Sequence, residues 1–141
     1  MKGDALAAIK SGAYIGASAS ELRAHTAADK AAGAVSQKAM FHHRGEVTLD
    51  DDALVLSSWS DGADLVVRPS DIASVARTYT DLYGRFIGGL LDSGKPLILV
   101  TTTVAGDIYL LIDRKEFMES TRNKEWAAAI TTWLSDNRKM A

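Results

Sequence analysis

Asn123 to Asn137 reads NKEWAAAITTWLSDN, and this stretch decides the fold. Trp126, Ile130, Trp133 and Leu134 fall at i, i+4, i+7 and i+8, one face of an amphipathic helix. Asn123 or Thr121 is placed to cap its start, and Lys/Arg residues in its last turns suit the helix dipole. An apolar face carrying two tryptophans needs something to cover. Upstream lies a run of short segments with the period of β-strands.

That run begins at Phe41. Glu46-Val47-Thr48-Leu49 alternates polar and apolar. Asp50-Asp51-Asp52 makes a turn, and Ala53 to Ser58 follows with Leu54 and Leu56 on one face. Ser60-Asp61-Gly62 contains the Asp-Gly hairpin signal. Leu65 to Arg68 is a third strand, broken by Pro69, which cannot donate to a central ladder. Ile72 to Tyr79 gives a fourth. Leu97 to Thr103 is apolar and β-branched, as expected of a strand buried on both faces. Val104-Ala105-Gly106-Asp107 turns into Ile108 to Ile112. The connector 113–122 has room for one more short strand around Phe117. The links are too short for parallel crossovers, so the strands are antiparallel. Six or seven such strands followed by one helix predict a mainly β, α+β fold: a curled antiparallel barrel or sandwich with the helix across one end.

Before residue 40 the composition differs. Alanine dominates, and Tyr14 is the sole aromatic residue. Ala5 to Lys10 reads as a short helix. Ser18-Ala19-Ser20-Glu21 has the form of a capping box and starts a second helix, which Gly33 is placed to end. Its apolar face is thin (Leu22, alanines, Val35), so it gains little by docking. The expected organisation is therefore an Ala-rich helical extension, 1–40, and a β-rich domain, 41–141. The extension is slightly basic and the domain acidic.

The chain has 141 residues, a net charge of −2 and no cysteine. That length buries a core unaided. Disulfides, thiolate metal sites and a cysteine nucleophile are excluded. The charge gives no basic field for nucleic acid. No window approaches the ~18 continuous apolar residues of a membrane span, and the start is a poor signal peptide. A cytoplasmic location is the expectation.

Residues 45–134 resemble the pleckstrin-homology (PH)-like fold, nearest in phrasing to small uncharacterised PH-like proteins of bacteria. The resemblance is carried by GEVTLDDDALVLSSW as the first hairpin, DIASVARTY as the fourth strand, LILVTTT and GDIYLLI as later strands, and NKEWAAAITTWL, with its Asn-x-x-Trp start, as the helix. It implies a binding module and brings no family active site. Phosphoinositide-binding PH domains gather Lys/Arg around the first hairpin loop. On this reading that loop is Leu49 to Ala53, and its three carboxylates would repel a phosphorylated headgroup.

Other residues bear on chemistry. Thr80 to Lys95, TDLYGRFIGGLLDSGK, mixes aromatic and basic residues, types enriched at binding hot spots. Arg77, Tyr79, Tyr83, Arg85, Phe86 and Lys95 are the candidate binding residues. Its glycines are no phosphate loop, since no Gly-Lys-Ser/Thr follows. The Asp run reads as a solvated turn in preference to a hard-cation site. His42 and His43 invite a metal with Glu46, but neighbours on a strand point to opposite faces, so ordinary histidines are expected. His25 has no obvious partner. No Gly-x-Ser-x-Gly and no triad emerges. The expectation is a non-enzymatic module with no catalytic residue, metal or cofactor, recognising a protein, a peptide or another copy of itself. The alternative is peripheral membrane binding through Arg77, Arg85, Lys95 and the N-terminal arm.

Overall fold

The computed structural model describes residues 10–24, 41–83, 95–114 and 121–140. Seven strands form one antiparallel sheet: β1 (Lys10–Ser18), β2 (His43–Leu49), β3 (Leu54–Ser60), β4 (Ala63–Val67), β5 (Ile72–Arg77), β6 (Leu97–Thr101) and β7 (Asp107–Ile112). Their order is β4-β3-β2-β1-β7-β6-β5. The helix α1 (Asn123–Met140) closes the curl, burying Trp126, Ile130, Trp133 and Leu134 as its periodicity predicts. The expected curled antiparallel sheet with one C-terminal helix is thus the observed one.

The domain boundary drawn at residue 40 does not match this sheet. Lys10 to Ser18, assigned to a helical extension, is β1, and it lies at the centre. It pairs with β2 from Lys10↔Leu49 to Gly16↔His43, and with β7 from Tyr14↔Ile112 to Ser18↔Ile108. Its small residues are what the packing requires. A Cβ on Gly16 would sit 2.9 Å from both the Trp59 ring and Leu110. On β2, a Cβ on Gly45 would lie 2.4 Å from the Ser57 carbonyl oxygen. Small side chains lower the intrinsic strand preference while admitting large neighbours. Residues 1–9 and 25–40, including the expected Ala5 helix and the helix end at Gly33, lie outside the described residues.

The second helix does start where expected. Residues 19–24 are helical, and the capping box is reciprocal: the Glu21 N–H donates to Ser18 Oγ at 3.2 Å and the Ser18 N–H to Glu21 Oε1 at 2.8 Å.

One correction follows for the hairpins. With β1 in place, the first hairpin is β1–β2, connected by residues 19–42, and Asp50-Asp51-Asp52 belongs to the second. The objection to headgroup binding drawn from those carboxylates concerns a different loop. Asp50 is engaged locally, accepting the N–H groups of Asp52 and Ala53 at 2.8 Å.

Two apolar clusters sandwich the central strands. The larger lies between the sheet and α1, with Trp126 and Ile130 fully enclosed among Val47, Leu54, Leu56, Leu97, Leu99, Ile108 and Leu110. The smaller lies on the opposite face, where Leu22, Phe41 and Tyr83 cover Ala17, Ile98, Tyr109 and Leu111. Hence β6 and β7 are buried on both faces. The start of α1 is tied to the sheet by Asn123, which is fully buried. Its Oδ1 accepts the Ile112 N–H at 3.0 Å, and its Nδ2 donates to the carbonyls of Lys95 at 2.8 Å and Leu110 at 3.0 Å. Of the two candidate caps, Thr121 does the local work: its Oγ1 accepts the Asn123 N–H at 3.2 Å.

Candidate functional site

A β-bulge helps to build a cluster of polar and aromatic side chains around His43. The β3–β4 register shifts between Leu56 and Ser60, with Ser58 at φ 55° and its N–H donated to Asp64 Oδ1 at 3.0 Å. Without the extra residue, Ser58 would share the inner face of Leu54 and Leu56. The bulge hands that place to Trp59. Trp59 then stacks on Tyr14 at 6.2 Å between centroids and on His43 at 4.0 Å with an 11° interplanar angle. The Tyr14 hydroxyl donates to the Ser57 carbonyl at 2.7 Å. Burial and the nearby Asp64 carboxylate push that phenol up to about 12.

His43 is held from three sides. One face lies on Trp59, Nδ1 meets the Trp59 carbonyl oxygen, and Nε2 lies 2.8 Å from both Glu21 carboxylate oxygens. His42 reaches the same carboxylate, with Nε2 3.1 Å from Glu21 Oε2. The two rings are 4.4 Å apart. Burial alone would raise the Glu21 carboxyl, but the Ser18 N–H and the two imidazoles together hold it below its ordinary value. The His43 side chain is 14% exposed and that of His42 54%, so the cluster opens to solvent on one side.

Strand alternation argued that the two histidines diverge. They converge because His42 precedes β2 and escapes its alternation. Their shared partner is Glu21, 21 and 22 positions earlier, and not Glu46, which is exposed. The one sequence signal for Glu21 was the capping box, which explained the residue as a helix start and so concealed its second contact.

Four of the six expected binding residues lie among the described residues. Tyr83 is fully buried, edge-on to Phe41 at 4.9 Å, and packs the smaller cluster. Tyr79 packs against the same cluster, half-buried. Arg77 ends β5 opposite Leu97, which puts it at the same end of the β5–β6 pair as Lys95. Arg85 and Phe86 lie outside the described residues, as do Phe117 and His25. A shallow, mostly apolar groove of about 360 Å³ runs between α1 and the end of β2, lined by Leu49, Ala128, Ala129, Thr132, Trp133 and Asp136. No helix among the described residues is long and apolar enough to cross a membrane.

No protein-family description and no curated protein matches the chain. Among solved structures it is similar to the Vps36 N-terminal PH domain, at 18% identity and a TM-score of 0.43. The match covers 68% of this chain and 65% of that one, just under two thirds of the domain's length. Seven strands in the order β4-β3-β2-β1-β7-β6-β5, curled and closed by a C-terminal helix, are the architecture that the PH-like resemblance of the sequence implies.

Proposed function

We propose that this chain is a non-enzymatic binding or scaffolding module that takes an extended segment of a partner protein as an added strand at β4. The observation that carries this reading is the state of that edge. Among the described residues, β4 pairs only with β3, and Val66 on it is 43% exposed. Sheet edges are usually blunted by Lys, Pro or inward-pointing charge. Ala63 to Val67, ADLVV, has no Lys or Pro, and its one charge, Asp64, is occupied by the Ser58 N–H. The ladder from Leu54↔Val67 to Leu56↔Leu65 runs without a shift. Among the described residues, the stretch Leu65 to Val67 is an edge in unbroken register beyond the bulge, suited to main-chain pairing, with Val66 offering an apolar side-chain contact.

The test is selection of extended peptides on the full chain, repeated with Val66→Lys. Binders that lose at least about tenfold in affinity on that substitution support the reading. Concentration-dependent sedimentation of the wild type, abolished by Val66→Lys, would make a second copy the occupant. Binders indifferent to Val66→Lys, or none at all, would overturn the assignment to β4.

A further inference from the structure

We propose that Glu21, His42 and His43 form a binding site for a divalent transition-metal ion of the zinc type. Each residue offers one ligand atom, and the three atoms lie within 4.8 Å of one another. Ligands at about 2.0–2.1 Å from a tetrahedral ion sit about 3.3 Å apart. The 2.8 Å and 3.1 Å separations to the carboxylate need open by only about half an ångström or less to admit one.

The donor set points the same way. The Trp59 carbonyl is an acceptor only, so His43 presents hydrogen on Nδ1 to it. That leaves Nε2 as the nitrogen facing the Glu21 carboxylate. The His42 Nε2 brings a third ligand atom to the same carboxylate oxygen. Backbone carbonyls that hold the far nitrogen of a histidine are the usual second partners of metal-bound imidazoles. Stacking on Trp59 locks the ring, so the ligand is positioned before an ion arrives.

Two imidazoles and one carboxylate suit zinc and its neighbours over calcium or magnesium, which prefer all-oxygen sets. Three protein ligands leave a fourth position on the open side, where His42 is half-exposed. The ion would join the two ends of the β1–β2 connection, since Glu21 follows β1 and His42 precedes β2.

The experiment is calorimetric titration of the tag-free, chelator-treated full chain with Zn²⁺, with Co²⁺ absorption as a coordination readout and Mg²⁺ as the contrast. Two variants accompany it. Glu21→Gln retains an amide oxygen to accept the Ser18 N–H, so the cap survives while the anionic ligand is lost. His42→Ala removes an exposed ring that packs no core. The expected result is one Zn²⁺ per chain, bound at least about tenfold more weakly by each variant, with melting of the chelated proteins little changed by His42→Ala. Absence of stoichiometric Zn²⁺ binding, or binding equal in the wild type and both variants, would overturn the site. So would binding lost in His25→Ala and retained in His42→Ala.

Discussion

Ser57 and Ser58 show how much one residue can decide. The extra residue of the bulge turns Trp59 inward, and Trp59 then supports both Tyr14 and His43. Trp59→Ala is expected to cost about 3–5 kcal/mol, the range for truncating a large buried aromatic, read from the urea midpoint. Gly45 makes the complementary case. A Cβ there would meet the Ser57 carbonyl at 2.4 Å, a backbone atom that cannot swing away. Gly45→Ala should destabilise by about 1–3 kcal/mol, as overpacking does; an unchanged midpoint would show that β3 shifts to make room. Glu21 contributes through charge. Its folded carboxyl lies below the ordinary value of 4.5, so its stabilising contribution is present above that pH. The contribution is lost as pH falls through the lowered value. In chelated protein, wild type should therefore lose stability below pH 4.5 more steeply than Glu21→Gln.

At the scale of elements, α1 is held by burial along its length and by one polar hub at its start. Asn123, fully buried, accepts the Ile112 N–H and donates to the carbonyls of Lys95 and Leu110. Asn123→Ala removes three hydrogen bonds, two of them buried, and is expected to cost about 2 kcal/mol or more, at about 1–3 kcal/mol for each stranded buried group. Asn123→Asp restores the acceptor for Ile112 but removes the donor to Lys95 and Leu110, so it should recover little. Both are measured by equilibrium unfolding. The contact between Arg122 and Glu125, at 2.7 Å, lies on the surface with both side chains about half exposed. Removing it should leave the midpoint nearly where it was, in line with exposed ion pairs generally.

For the whole molecule, the position of β1 matters most. It bridges β2 and β7, and both apolar clusters draw on it, through Tyr14 on one face and Ala17 on the other. A chain lacking residues 1–18 should fail to form the sheet, seen as loss of the far-ultraviolet strand signal and of a cooperative melt. If the truncated chain melts cooperatively, β1 is dispensable and the seven-stranded description is wrong.

Local sequence pattern determined α1 and its four buried apolar residues, the strands from β2 to β7, the turns at Asp50 and Gly62, and the capping box at Ser18. Each is local: alternation, a turn dipeptide or a cap can be read within a few residues. β1 was not legible, because Gly12, Gly16 and its alanines carry little intrinsic strand preference. Gly16 is required by the Trp59 ring and Leu110 and Gly12 by the Asp113 carboxylate, all distant in sequence. The same holds for the candidate site. Glu21 meets His42 and His43 only after β1 and β2 pair, and Trp59 meets His43 only because a bulge one strand away turns it inward. Tertiary structure alone decided these contacts, since the groups that define them are separated by whole strands and no local pattern records their meeting.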